Sequence, residues 1–242
     1  PLFFSYIYRK QTYCMASNHH TDDVFVEKRR PKNPIRFKVT LNEEQKIAKK
    51  LILENPITVI RGMAGSGKTL VAAQCALDML FTKRVNKVII TRPTVSKEDI
   101  GFLPGDIREK MDPWLAPIHH NLFMLYNEEK VNREMDDGNI EIVPFAFMRG
   151  RTFVDSFIIV DEAQNVTHNQ METVIGRLGR NSKMAICGDI AQIDLRNKRD
   201  TGFSFLNRLE ENVEGVKTIN LTSNHRHDIV APILKVYETF RD

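Results

Sequence analysis

Apolar residues in this chain gather into short Val- and Ile-rich runs at 56–61, 87–91, 139–143, 154–160, 183–188 and 216–221, with little polar alternation inside them. Strands buried on both faces read this way, because neither face offers side chains to water. Between the runs the period becomes helical, near 68–82, 106–135, 168–179, 202–211 and 227–240. An earlier helix opens at Thr40-Leu41-Asn42-Glu43, which has capping-box spacing, and reaches about Leu53. Pro113 and Pro117 are expected to break the 106–135 stretch. Over 168–179, Met171, Val174, Ile175 and Leu178 fall at i, i+3, i+4 and i+7 and make one apolar stripe, with Thr167 and Gln170 as its cap. Strands alternating with helices predict an α/β fold of three layers, a central mostly parallel sheet flanked by helices. Ligands in such folds collect at the carboxyl ends of the strands.

One of those ends is glycine-rich. Gly62-Met63-Ala64-Gly65-Ser66-Gly67-Lys68-Thr69 fits G-x-x-x-x-G-K-[ST]. It lies between the apolar run 56–61 and an Ala- and Leu-rich stretch, 70–80, in the strand–loop–helix order of a phosphate-binding loop. Glycine lets backbone N–H groups crowd phosphate oxygens where a Cβ would clash. Lys68 is placed to reach the β- and γ-phosphates, and the Thr69 hydroxyl to ligate Mg²⁺.

Other strand ends carry matching chemistry. Phe157-Ile158-Ile159-Val160 runs into Asp161-Glu162-Ala163-Gln164. Hydrolysis of a nucleoside triphosphate needs an acid at a strand tip to hold Mg²⁺ through its water shell, and Asp161 has that place. It also needs a group to orient or deprotonate the attacking water, for which Glu162 is the candidate. Met184-Ala185-Ile186-Cys187-Gly188-Asp189 is another strand ending in a turn, and Gln192 beyond it carries an amide able to bond the γ-phosphate and report its loss. Arg226, past the last strand and flanked by His225 and His227, is a candidate for stabilising charge on the transferred phosphoryl group. Asn197-Lys198-Arg199-Asp200 fits the guanine-reading pattern N-K-x-D, but the strand end at Asp161 lacks the D-x-x-G that accompanies it, so guanine is discounted.

Bulk properties change this picture little. The 242 residues are 42% hydrophobic and 27% charged, the balance of a globular protein with one large domain or two small ones. A net charge of +4 admits a nucleic-acid partner without demanding one. Cys14, Cys75 and Cys187 have neither metal nor disulfide spacing, and the latter two read as small buried hydrophobes. His19-His20 and His119-His120 are adjacent pairs that share no helix face and read as structural or surface residues. No apolar run is long enough to cross a bilayer, and the apolar start lacks the charge order of a secretory signal, so a cytoplasmic location is expected. Residues 1–36 read as a flexible arm, basic around Lys28-Arg29-Arg30-Pro31-Lys32, with 37–242 as one domain. Residues 1–14, ahead of Met15, are expected to be an appended or mis-assigned segment.

Together these segments resemble the PhoH family, P-loop ATPases similar to the first motor domain of superfamily-1 helicases. The likeness covers roughly 40–242. Its motifs are Gly62–Thr69, Thr91-Arg92-Pro93 with Gly101-Phe102-Leu103-Pro104-Gly105, Phe147-Met148-Arg149-Gly150-Arg151-Thr152, Val160–Gln164, and Gly188-Asp189 with Gln192-Ile193-Asp194. The resemblance implies a RecA-like P-loop NTPase fold, ATP and Mg²⁺ as ligands, and remodelling or unwinding of single-stranded RNA or DNA. By motif position it implies that Gln45 reads adenine and that Thr91, Arg92 and Pro93 touch nucleic-acid backbone. It likewise implies that Arg149 and Arg151 touch phosphate, and that Arg226 is the late arginine of the family. The run Asn224-His225-Arg226-His227-Asp228 departs from the Val-Val-Arg-His-Pro type expected around that arginine.

Helicase translocation usually needs two motor domains closing on one ATP, and a chain of this length has room for one. Either a homo-oligomer completes the site or ATP is hydrolysed without tracking along a strand. Two alternatives share the phosphate loop: a nucleotide-gated regulatory module with slow hydrolysis, and a small-molecule kinase.

Overall fold

The computed structural model describes residues 35–93, 107–195, 197–225, 227 and 229–239. Expectations for the arm up to residue 34, for Gly101–Gly105 and for Arg226 lie outside the described residues. The apolar runs form strands β1 (Ile57–Gly62), β2 (Lys87–Arg92), β3 (Ile140–Pro144), β4 (Ser156–Val160), β5 (Lys183–Gly188) and β6 (Val216–Leu221). They make one sheet in the order β3-β2-β4-β5-β1-β6, and every pairing is parallel. Parallel neighbours need crossovers. Helices α1 (Glu43–Glu54), α2 (Lys68–Phe81), α3 (Ile107–Leu125), α4 (Glu128–Asp136), α5 (His168–Ile175), α6 (Leu206–Asn212) and α7 (Val230–Glu238) lie between or beyond the strands.

Side chains alternate between the two faces of each strand. Ile60, Ile90, Ile159 and Cys187 pack with Ala48, Ile52, Leu77 and Leu122 from α1, α2 and α3. Val59, Ile89, Ile158 and Ile186 pack with Met171, Val174, Phe203 and Leu206 on the opposite side. The result is the expected three-layer, RecA-like arrangement of a parallel sheet between helices. Both Cys75 and Cys187 are fully buried among apolar neighbours, and burial pushes the Cys75 thiol up to about 12.

Several boundaries differ from expectation, each for a local reason. The α1 cap is Asn42 rather than Thr40: Asn42 Oδ1 accepts the Gln45 N–H at 2.8 Å, and Gln45 Oε1 accepts the Asn42 N–H at 3.1 Å. Helix α3 runs unbroken through Pro113 and Pro117. Pro117 is exposed, so the missing hydrogen bond falls on the solvated side, where water replaces it. The break comes instead at Asn127, whose side chain accepts the Lys130 N–H at 2.9 Å and opens α4. Helix α5 ends at Ile175, short of 179, because the chain turns to pair with the residues before β4. There Phe153 N–H donates to Arg177 O at 2.9 Å, and Gly179 N–H donates to Phe153 O at 2.8 Å. The predicted stripe survives, with Ile175 and Leu178 packed on the same apolar layer as Met171 and Val174. Its cap is also present, Gln170 Oε1 accepting the Thr167 N–H at 2.9 Å. Among the described residues no helix is long and apolar enough to cross a membrane.

Topology decides what meets at the carboxyl edge. Strand β5 lies between β1 and β4. The tips of β1 and β4 are therefore two strand spacings apart, roughly 10 Å, with Gly188-Asp189 between them.

Candidate nucleotide site

The glycine loop bridges β1 to α2. Gly62 has φ +150°, and a Cβ there would stand 2.4 Å from the Leu221 carbonyl oxygen at the end of β6. Gly67 has φ +83°, and a Cβ there would stand 2.5 Å from Gln45 Nε2. Neither position admits a side chain without moving the framework. Gly67 caps α2 with no side-chain hydrogen bond, which leaves the first N–H groups of the helix for an anion. Lys68 Nζ donates to Gly62 O at 2.7 Å and to Met63 O at 3.0 Å, which holds its charge inside the loop.

Thr69 Oγ1 donates to Asp161 Oδ1 at 2.6 Å and joins the start of α2 to the tip of β4. Asp161 is 6% exposed, and its backbone N–H is held by Thr91 O at 2.8 Å. Burial, reinforced by the neighbouring Glu162 carboxylate, pushes the Asp161 carboxyl up; the Thr69 hydrogen bond and Arg92 pull it down. Among the described residues no lysine or arginine forms a salt bridge with Asp161. A buried acid in that position calls for a countercharge. Hard oxygen donors from Thr69 and Asp161 suit Mg²⁺, which keeps several waters and takes few protein ligands. Among the described residues there is no cluster of three His, Cys, Asp or Glu that would form an all-protein metal cage.

Glu162 sits in the left-handed region, φ +51°. Such a conformation costs a non-glycine residue about 1–3 kcal/mol and persists only where neighbours enforce it. Here Gln164 Nε2 donates to Glu162 Oε2 at 2.7 Å, and Arg92 Nη2 lies 3.8 Å from Glu162 Oε1. Gln192 occupies a 3-10 turn, Ile190–Gln192, that follows directly on Asp189. The Asp189 carboxylate accepts the Ala191 N–H at 3.0 Å and shapes that turn.

The loop is braced from two further segments. Gln45 is 3% exposed, and its Nε2 donates to Ser66 O at 3.2 Å. His225 N–H donates to Gly65 O at 3.1 Å. The capping box orients the Asn42 and Gln45 amides so that both NH₂ groups face His225 Nε2, at 3.2 and 3.1 Å. That ring nitrogen is therefore the acceptor, and the proton resides on Nδ1. Glu44 accepts from the hydroxyls and backbone N–H groups of Thr222 and Ser223. Those bonds, the Thr222 hydroxyl foremost, hold its carboxyl at about 2.

The tips thus bring together Lys68, Thr69, Asp161, Glu162, Gln192 and Gln45, with Arg92 alongside. They do not gather every candidate. Thr91 and Pro93 are buried, and the Thr91 hydroxyl has no partner among the described residues. Arg149 is exposed. Arg151 pairs with Glu141 at 2.7 Å beside Lys87, on the amino-terminal side of β2 and β3. Asn197 and Asp200 bond each other in a surface turn, Asn197 Nδ2 donating to Asp200 Oδ1 at 2.9 Å. Sequence reasoning assigned no role to Gln164, Glu44 or the backbone of His225. For Gln164 the available signal was an amide two residues beyond a strand-end acid pair.

A glycine loop, an acid pair and an amide-bearing turn on neighbouring tips of an all-parallel sheet define the P-loop NTPase fold. The particular group follows from comparison with known proteins. Residues 39–238 match the family described as PhoH-like protein, and the chain belongs to it. Relatives include a PhoH-like protein of Synechocystis, 42% identical over 192 residues, 78% of this chain and 58% of that protein. Another is a PhoH-like protein of Bacillus subtilis, 42% identical over 180 residues, 73% of this chain and 56% of that one. Protein PhoH of Escherichia coli is 42% identical over 179 residues, 70% and 49% of the two chains. The chain thus spans about half the length of these relatives. Among solved structures, the large terminase of a thermophilic bacteriophage aligns with a TM-score of 0.49 at 11% identity, over 81% of this chain and 50% of that one. Pif1 helicase from Candida albicans aligns with a TM-score of 0.43 at 14% identity, over 84% and 44%.

Proposed function

We propose that this chain binds ATP with Mg²⁺, hydrolyses it, and couples turnover to remodelling of single-stranded RNA or DNA in a homo-oligomer. The observation that carries the reading is the 2.6 Å contact between Thr69 and Asp161, with Glu162 beside it and Lys68 inside the loop. It supports a reading in which a cation site, a base and an amine share one volume at the strand tips. In this reading the loop N–H groups and Lys68 bind the phosphates, and Thr69 and Asp161 hold the metal. Magnesium, when bound, neutralises charge on the terminal phosphates. Glu162 orients the attacking water, Gln192 meets the γ-phosphate, and Arg226 stabilises the transferred group. Gln45 meets the adenine from a position where its amide also braces the loop. Arg92 and Arg149 are the nucleic-acid contacts with exposed surface, and buried Thr91 and Pro93 set the position of Arg92.

The test is ATP turnover with and without single-stranded RNA and DNA, beside GTP and across a salt series. Stimulation by nucleic acid is expected, preferring ATP. It should fall steeply with salt, by a log–log slope of about −0.7 for each phosphate neutralised on a single strand. Turnover indifferent to both nucleic acids would instead favour a nucleotide-gated regulatory module.

The described residues hold a single sheet, and in this reading a second surface that closes on the nucleotide is supplied by a neighbouring subunit. Light scattering is expected to give a multiple of the chain mass in the active protein. A monomeric mass, with turnover per chain independent of concentration, rules the oligomer out.

A further inference from the structure

We infer that Gln164 is a positioning residue for hydrolysis, tying the turn that carries Gln192 to the carboxylate of Glu162; the inference rests on the ATPase reading above. Gln164 is 1% exposed and uses both ends of its amide. Its Oε1 accepts the Asp189 N–H at 3.0 Å, which fixes the amide's orientation. Its Nε2 then donates one hydrogen to Glu162 Oε2 at 2.7 Å and the other to Gln192 O at 3.3 Å. Its own carbonyl accepts the Thr201 hydroxyl at 2.7 Å, which keeps the residue from shifting. One buried side chain therefore touches the tip of β5, the backbone of the Gln192 turn and the candidate base.

The next residue grips the far end of the same turn. Asn165 Oδ1 accepts the Asp194 N–H at 2.7 Å, and Asn165 Nδ2 donates to Asp194 Oδ2 at 3.3 Å. The segment from Asp189 to Asp194 is thus anchored at both ends to the segment that holds Glu162. Displacement of Gln192 on meeting a phosphate passes through Gln164 Nε2 to the Glu162 carboxylate. Among the described residues that carboxylate is otherwise steered only by Arg92, at 3.8 Å and without a hydrogen bond. A buried, fully bonded amide in a low-dielectric setting is a stiff link.

The experiment compares Gln164→Glu and Gln164→Ala by single-turnover hydrolysis and by nucleotide affinity, each in wild-type and Glu162→Gln backgrounds. Gln164→Glu keeps the side-chain volume and an oxygen for the Asp189 N–H, so it tests the role even where the alanine variant fails to fold. Its second oxygen faces Glu162 at hydrogen-bond distance in a buried site, so the rates are read at alkaline pH, where the two carboxylates no longer share a proton and the variant has no hydrogen to give. The rate constant is expected to fall roughly 10-fold or more with nucleotide affinity unchanged, the split that marks an interaction realised in the transition state. On top of Glu162→Gln, the further loss from Gln164→Ala should stay below about twofold, since the group it positions is already gone. A wild-type rate in Gln164→Glu overturns the inference. So does an equal loss from Gln164→Ala in both backgrounds, which is the signature of a purely structural role. Absence of turnover in the wild-type protein overturns both the inference and the ATPase reading; an unaffected Gln164→Glu variant in an active protein overturns the inference alone.

Discussion

Lys68→Ala is expected to abolish nucleotide turnover while leaving the fold intact. The amine points into the glycine loop, where it donates to the carbonyls of Gly62 and Met63. A phosphate entering the loop meets that ammonium as a point charge. Removing a preorganised donor to developing charge typically costs about 10²–10³ in rate. Loss of ground-state binding adds to that, because the same group holds the β- and γ-phosphates. The structural cost is smaller. Each of the two bonds contributes roughly 0.5–1.5 kcal/mol, and alanine is the better helix former at the start of α2. Phosphate release and fluorescent-nucleotide titration, beside a thermal melt, check this. A variant that melts like the parent and still turns over ATP at the parent rate would end the proposed mechanism.

Glu162→Gln should separate binding from chemistry. The amide keeps the volume and a hydrogen-bonding oxygen but no longer accepts a proton from water. General-base contributions run to about 10²–10⁴ in rate, and that is the expected loss. Nucleotide affinity should hold or rise, since the carboxylate beside Asp161 is one of the two causes that push the Asp161 carboxyl up. The expected species is a stable complex with uncleaved ATP, visible by chromatography of the bound nucleotide. Turnover within a few-fold of wild type would remove Glu162 from the mechanism and leave Asp161 as a structural acid.

The sheet was legible because its signal is local and strong. Each Val- and Ile-rich run became a strand within a residue or two of its expected bounds, as with 183–188 and 216–221. Helix ends were less legible. Asn42 outcompeted Thr40 as a cap because Gln45 stands three residues on and completes the reciprocal bonds. Helix α5 stopped early because the pairing of Phe153 with residues 177–179 offered its backbone another partner. Pro117 misled because a proline costs little where the lost bond faces water, and no sequence pattern states which way it faces.

What the chain's sequence determined unaided is the inventory: a loop that can only be glycine-rich, a lysine and threonine after it, acids at a strand end, and strands buried on both sides. These follow from spacing and side-chain chemistry, which are properties of neighbours along the chain. Tertiary structure alone decided the company those groups keep. Placing β5 between β1 and β4 brought Asp189 and Gln192 between the loop and the acids. Pairing of β6 with β1 and packing of the layers brought Gln45 and His225 onto the loop carbonyls, and Gln164 between Glu162 and Gln192. Such contacts join residues up to 183 positions apart, and their energy depends on burial and angle, quantities that arise only once the layers have packed.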